Sequence, residues 1–442
     1  RESSTGVFVA VGSGDYSLRR LYDSDKDSVS VYDGTGTEVS FAPGRIAYTL
    51  GLNGPCLALN TACSSSLVAV HTAAQSLRAK ECDMAICGGA HLILEPDDGY
   101  FLAASQALSP SGFCRPFDAR ADGFVRGEGS GVVLLKRLSE ARENGDRILG
   151  VIAASSINSD GASSGFTAPN GKAQEALIRK VLEKAGLKPD DLGFYECHGT
   201  GTNLGDPIEL DAMGRALKGR TDPLPIGSIK ANFGHLEAAA GMASLFKALL
   251  ILEHGQVPPQ IHFETPNPHI DWENLPFQVS TASPLQKPAV ALSGFGMSGT
   301  NAHLIVTKLK ESPASPPRRV GGPVVLPLSA GSPTALRALA QRYLEMDNPE
   351  IEDLCAGAAL YREHLDYRLA VVARDSSQLR DRLRSYLHKG ESFGVWSGRK
   401  PAGGEPKVAF LFSGQATERA GMGEGLAGVS PSFKESLYSL RR

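Results

Sequence analysis

The sequence predicts an α/β fold. Three observations carry that reading: short apolar runs recur over residues 1–310, glycine-rich turns follow them, and amphipathic helical stretches follow the turns. Of 442 residues, 42% are hydrophobic and 21% charged, an ordinary globular composition with enough apolar side chains for a large core. Lys plus Arg number 45 against 48 Asp plus Glu, a formal charge of −3. Such balance argues for no nucleic acid and no membrane surface as partner. Seven cysteines contain no CxxC pair and no Cys/His cluster with zinc-ligand spacing, so no metal is expected. Reduced thiols fit a cytoplasmic protein. The chain starts at Arg1, almost inside a strand-like run, and is expected to be a fragment whose targeting segment, if any, lies upstream.

The first element is that run, Gly6 to Val11. Next, Leu57 to Asn60 reads as a short strand that meets a small-residue turn, Thr61-Ala62-Cys63-Ser64. A helix follows with Leu67, Val70, Ala74 and Leu77 on one face, and it carries no charge until Arg78. A helix of that kind is buried. Cys63 at its start is either a structural thiol with the serine run capping the helix, or a nucleophile whose thiolate the helix dipole favours. Asn170 to Gly186 is a helix with Ala173, Leu177, Val181 and Ala185 on one face and Gly186 placed to end it.

Phe194 to His198 is a strand running into the glycine loop Gly199-Thr200-Gly201-Thr202. The loop ends at Asp206-Pro207-Ile208-Glu209, which reads as a helix start with Asp206 as N-cap. His198 is either a buried histidine bonded to backbone or a catalytic partner. A second strand and turn, Ile226 to Gly234, deliver His235 to the head of an apolar helix that ends before Gly255. Helix-terminal placement lowers an imidazole's pKa and suits it to donate a hydrogen bond while uncharged. Lys230, in so apolar a stretch, is expected to have a buried carboxylate partner. The most apolar segment, Ala238 to Leu252, is short and carries Ser244 and Lys247, so it does not read as a membrane span.

Gly294-Phe295-Gly296-Met297-Ser298-Gly299 fits a dinucleotide fingerprint literally, but the next residues, Thr300 to Val306, are strand-like where that fingerprint requires a helix. Its glycines instead let a backbone loop approach something closely. Beyond residue 310 the texture changes. Residues 311–323 are a Pro/Gly-rich connector, 324–405 a small α+β unit with strands at Val324–Leu328 and Tyr367–Ala373, and 406–442 a third passage opening on Val408 to Phe412.

The order of these motifs resembles the β-ketoacyl synthase domain of modular type I polyketide synthases: TACSSSL with Cys63, HGTGT with His198, LGDPIE, KANFGH with His235, and GFGMSGTNAH. The resemblance covers Gly6 to about Lys308. Leu326 to Ala330 and the unit after it look like the domain linking ketosynthase to acyltransferase. Phe410 to Gln415 resembles the opening strand of a malonyl-type acyltransferase, although Ala416-Thr417-Glu418 departs from that pattern.

The resemblance implies a thiolase-like α/β/α/β/α fold and a homodimer. Cys63 would take an acyl chain from an acyl carrier protein as a thioester. His198 and His235 would hold the carbonyl of a malonyl-type extender during decarboxylation, and backbone N–H groups of Cys63 and Met297 would form an oxyanion hole. Lys230 and Asp206 would support the site, and Thr200, Thr202, Phe295 and Met297 would contact substrate or the phosphopantetheine arm. That arm arrives on the carrier protein, so no cofactor is expected on the chain itself; the acyltransferase of the same polypeptide is a further partner. Met297 and Ser244 stand where discrete fatty acid synthases carry Phe and Glu, which points to the polyketide group. Alternatives are a non-elongating gating ketosynthase, the ketosynthase of a type I fatty acid synthase, or a cysteine hydrolase. Lacking the family's opening segment, residues 1–442 alone are expected to express poorly or be inactive.

Overall fold

Apolar runs too short for helices become strands, and the glycines between them become the turns that return the chain. The computed structural model describes residues 3–12, 14–23, 30–309, 322–347, 350–390, 392–401, 409, 411 and 419–439. These fall into two compact units, Arg1–Glu311 and Ser312–Arg442.

The first unit begins with β1 (Thr5–Val11), then helices α1 (Asp15–Asp23), α2 (Val31–Thr37) and α3 (Phe41–Leu50). It continues through β2 (Cys56–Leu59), α4 (Ser65–Arg78), β3 (Met84–His91), α5 (Asp97–Ala104) and β4 (Gly129–Lys136). β2 and β3 flank β1 in parallel, and β4 pairs antiparallel with β3, giving the order β2-β1-β3-β4. After α6 (Leu138–Glu143) a second sheet begins with β5 (Val151–Ser159) and α7 (Gly171–Ala185). β6 (Phe194–Glu196), α8 (Gly205–Ala216), β7 (Leu224–Gly227), α9 (Lys230–Phe233) and α10 (Ala240–His254) follow. The unit closes with β8 (Gln256–Val257), β9 (Phe277–Val279), β10 (Ser283–Pro284), β11 (Ala289–Phe295) and β12 (Thr300–Thr307). The second sheet has the order β5-β12-β11-β6-β7-β9, with β11, β6, β7 and β9 parallel.

Helices α4 and α10 lie between the sheets, each touching strands of both; α3 packs on β1 and β2, and α7 on β5 and β12. The layers are therefore α/β/α/β/α. Strand periodicity explains the two cores. Val290 and Leu292 of β11 face inward with Phe8, Leu67 and Leu245, while Ala289 and Ala291 face outward with Val181, Leu210 and Met213. A side chain at Gly241 on α10 would lie 2.5 Å from Leu67 Cγ on α4, so the two inner helices cross in direct contact. α7 ends at Gly186 as expected, left-handed at φ 65°, and Asn170 proves to be its N-cap: Oδ1 accepts from the N–H groups of Lys172 (3.1 Å) and Ala173 (3.4 Å).

The second unit is an antiparallel sheet, β13 (Val324–Ala330), β14 (Tyr367–Ala373) and β15 (Val395–Arg399). Helices α11 (Pro333–Glu345), α12 (Ile351–Leu360) and α13 (Ser376–Lys389) supply Leu336, Cys355 and Leu383 to one core with Leu326, Leu369 and Val371. The strands bury alternate residues only, as a sheet with one covered face does. Short helices α14 (Glu424–Val429) and α15 (Pro431–Ser439) follow. Residues 311–321 of the connector, and all of Phe410 to Gln415 except Leu411, lie outside the described residues.

Candidate active site

Cys63 sits where β2 turns into α4. Ala62, just before it, has a left-handed φ of 54°, a conformation an L-residue holds only when its surroundings fix it. The serines fix it. Thr61 N–H donates to Ser65 Oγ (2.8 Å), Ser65 Oγ–H donates to the Ala62 carbonyl (2.5 Å), and Ser64 Oγ–H donates to the Thr61 carbonyl (2.9 Å). The serine run thus closes the loop and does not cap the helix, whose N-cap residue Ser64 makes no side-chain cap bond.

The glycines of the GFGMSG turn behave as expected. A Cβ on Gly296 would lie 2.3 Å from the Thr61 carbonyl oxygen, so only glycine lets the β11–β12 turn reach the cysteine loop. That approach aims the N–H groups of Met297 and of Cys63 itself at the sulfur. The expected thiolate is not borne out. Burial pushes the Cys63 thiol up to about 11, with the Glu237 carboxylate adding to it; Lys230 and the two N–H groups oppose but do not win. Desolvation outweighs a helix start here.

His198 is gripped through its backbone. Its N–H and that of Gly199 donate to the two oxygens of Glu209, at 2.7 and 2.9 Å, and its carbonyl accepts from Lys230 Nζ at 2.6 Å. Its Nδ1 accepts from Phe295 N–H at 3.4 Å, which leaves the ring proton on Nε2. Asp206 is not the expected N-cap. α8 starts at Gly205, and the buried Asp206 carboxylate instead accepts from Phe117 N–H (2.8 Å) and Gly201 N–H (3.1 Å). Burial raises Asp206 to about 6 and Glu209 to about 7.

His235 lies on a short strip of chain. Its N–H donates to the Val125 carbonyl (2.7 Å), and its own carbonyl accepts from Gly127 N–H (2.9 Å). The ring packs edge-on against Phe124 at 4.9 Å and against His198 at 5.5 Å. Its Nδ1 accepts from Glu237 N–H at 3.0 Å, so its proton also sits on Nε2, which is buried with no partner among the described residues. Burial, reinforced by the Lys230 charge, holds both imidazoles well below the usual histidine range. They are neutral donors.

Lys230 lies among these groups, buried, and its direct partner is the His198 carbonyl and not the expected carboxylate. Burial pushes its ammonium below the ordinary lysine value, while Glu196 and Glu209 oppose. Glu196 pairs instead with Lys247 at 2.7 Å and accepts from Ile229 N–H at 2.6 Å. Thr200 and Thr202 bond through their hydroxyls at 3.1 Å, and Thr202 Oγ1 accepts from Gly205 N–H. Phe295 tilts against His198 at 5.6 Å, and Met297 packs on Leu102, Cys114 and Phe124. Ser244 is buried on α10. No cluster of three or more His, Cys, Asp or Glu suited to a metal occurs among the described residues.

Sequence reasoning missed Glu196, Glu209, Lys247, Glu237 and the strip Phe124 to Gly127. Glu209 was in view as part of a helix start. The others were visible only as charges and glycines without a local role.

The β-ketoacyl synthase N-terminal domain matches residues 1–141, its C-terminal domain residues 149–264, and the ketoacyl-synthetase C-terminal extension residues 266–372. Erythronolide synthase EryA3 of Saccharopolyspora erythraea is 41% identical over 100% of the chain, which covers 14% of that protein. One of the phenolphthiocerol/phthiocerol polyketide synthase subunits of Mycobacterium tuberculosis is also 41% identical over 100%, with 24% of its length covered. The chain therefore spans under a quarter of the length of these relatives. Among solved structures, the oxazolomycin ketosynthase domain of Streptomyces albus JA3453 is 36% identical at a TM-score of 0.76, with 96% of this chain and 74% of that one covered. The ketosynthase from module 6 of the Bacillus subtilis bacillaene synthase is 36% identical at 0.73, covering 90% and 69%. The fold and these relatives agree: the chain belongs to the β-ketoacyl synthase family, with a thiolase-like α/β fold, on its polyketide synthase branch.

Proposed function

We propose that this chain is the ketosynthase of a type I polyketide synthase and catalyses decarboxylative Claisen condensation. The observation that carries the reading is the shared protonation of the two imidazoles. Each Nδ1 is occupied by a backbone N–H, so each Nε2–H is free to donate beside the cysteine loop. Cys63 Sγ attacks the thioester carbonyl of an acyl group on the phosphopantetheine arm of an acyl carrier protein. The carrier thiol leaves with the proton of the cysteine thiol. A malonyl-type extender on a carrier then loses carbon dioxide, and the electron pair moves onto its thioester oxygen. The Nε2–H groups of His198 and His235 hold that enolate. Its carbon attacks the acyl-Cys63 carbonyl, whose oxygen is received by the N–H groups of Cys63 and Met297, and collapse expels the cysteine sulfur. Losing one oxyanion donor costs about 2.7–4 kcal/mol of barrier.

The remaining assignments form part of the same proposal. Residues 1–310 form the ketosynthase, 324–405 the linker domain and 406–442 the start of an acyltransferase, which is a partner within one polypeptide. Thr200 and Thr202 contact the phosphopantetheine arm, Phe295 and Met297 the acyl chain, and Lys230 and Asp206 hold the loops. The unit works as a homodimer in the cytoplasm; no helix among the described residues is long and apolar enough to cross a membrane. In the full-length synthase, Cys63→Ala abolishes covalent acylation, and His198→Ala and His235→Ala each stop decarboxylation of the extender. Acylation that survives Cys63→Ala, or free acid as the main product, overturns the proposal.

A further inference from the structure

Glu237 has no place in the chemistry just described, yet it adopts a conformation that needs a cause. It lies two residues past His235, with a left-handed φ of 46°. An L-residue rarely rests there unless it is tethered. The tether is its carboxylate. Arg126 Nε donates to Glu237 Oε1 at 2.5 Å and Nη2 to Oε2 at 3.4 Å, and His91 Nε2 lies 3.5 Å from Oε2. The Arg126 and His91 side chains are 8% and 1% exposed, so this is not a solvated surface pair. Asp98 Oδ2 lies 3.9 Å from the same Nη2.

The tether leads to the imidazole by two routes. Through the backbone, Val125 and Gly127 bracket Arg126 and hydrogen-bond the N–H and carbonyl of His235. Through the carboxylate, Arg126 holds Glu237 in the left-handed conformation in which its N–H donates to His235 Nδ1. We propose that Arg126, Glu237 and His91 form a positioning device that fixes the orientation and tautomer of His235. This rests on the role given above to His235 as an Nε2–H donor. Without the guanidinium, Glu237 relaxes to negative φ by a turn of the Leu236–Glu237 peptide plane, which carries its N–H away from Nδ1, and the ring proton is no longer confined to Nε2. Arg126, Glu237 and His91 are positioning residues; none of them touches the reacting atoms.

The test uses the full-length synthase with malonyl-loaded carrier protein, comparing wild type with His235→Ala, Arg126→Met, Arg126→Lys and the double variant Arg126→Met/Glu237→Gly. Arg126→Met is expected to lower kcat for decarboxylation about 100-fold, the scale of a misplaced catalytic group, with KM unchanged. Arg126→Lys restores most of it. Glu237→Gly removes the stranded carboxylate and lets the backbone take positive φ freely. The double variant therefore recovers activity over Arg126→Met, whereas a merely structural ion pair would leave it worse. Wild-type kcat in folded Arg126→Met, or a double variant poorer than Arg126→Met, overturns the inference. Should Arg126→Met fail to fold, Arg126→Lys and Glu237→Gln decide it. Wild-type kcat in Glu237→Gln overturns the device, and a fall in kcat at constant KM supports it. If His235→Ala itself decarboxylates normally, the inference falls together with the role of His235. If His235→Ala is inactive and Arg126→Met is not impaired, only the positioning device falls.

Discussion

The cysteine loop and the two histidine loops come from different sheets, and burial acts on them in opposite chemical senses. After β2, burial raises the Cys63 thiol to about 11 and so works against the nucleophile. After β6 and β7, the same burial keeps His198 and His235 neutral, the form the proposed enolate-holding role requires. Desolvation penalises whichever form is charged, and only the cysteine needs its charged form. The second sheet therefore uses burial directly, while the first has to counter it. Its means are the Met297 and Cys63 N–H groups and the Lys230 charge, each of which lowers the thiol. One site holds a resting thiol and two resting imidazoles, all uncharged.

The sharpest way to separate the two regions is a pH profile of each half-reaction. A thiol near 11 gains thiolate about tenfold per pH unit below that value, so acylation of Cys63 should climb through pH 9 without a plateau. Decarboxylation should show no inflection near pH 6.5, since both imidazoles are already deprotonated there. A plateau in acylation near pH ~8, matched by alkylation of Cys63 with iodoacetamide over the same range, would erase the contrast. Next in size is Lys230→Met. It leaves the buried His198 carbonyl without its charged donor, a loss of about 1.5–3 kcal/mol, read by urea unfolding. Surviving folded protein should acylate more slowly, because the thiol loses the charge that lowers it.

Gly296→Ala is a smaller intrusion, aimed at the contact between the β11–β12 turn and the cysteine loop. Its methyl group would strike the Thr61 carbonyl, and overpacking of this kind costs about 1–3 kcal/mol. Acylation should fall more than decarboxylation, because it is the Met297 N–H and the cysteine loop that are pushed apart. Equal losses in both would show that the two regions are not separable. Smallest is Ser332→Ala. Ser332 Oγ caps α11 in the second unit by accepting Ala335 N–H at 3.1 Å, and its loss costs about 1 kcal/mol there. Both half-reactions should keep their rates.

How much could be read in the sequence depends on the range of the interactions. The end of α7 at Gly186, the buried α4 and the strand after the GFGMSG turn all depend on residues a few positions apart, so local pattern sufficed. Cys63, His198 and His235 stood out because each ends a strand–turn motif at a residue type that the local pattern alone does not require. The carboxylates did not. Asp206 looks like a cap in the sequence, but its partner Phe117 is 89 residues away. Lys230 was expected to meet a carboxylate and instead reaches a carbonyl 32 residues back. The thiolate expectation failed for a related reason: a helix start is local, but burial is a property of the assembled layers.

The contact of α4 with α10 at Gly241 has a consequence for coupling. The helix that begins beside Cys63 and the helix that follows His235 touch where not even a methyl group fits, so neither can slide or tilt without unpacking both sheets. A shift of either helix at this point is passed directly to the other, and so links the Cys63 end of one layer to the His235 end of the other.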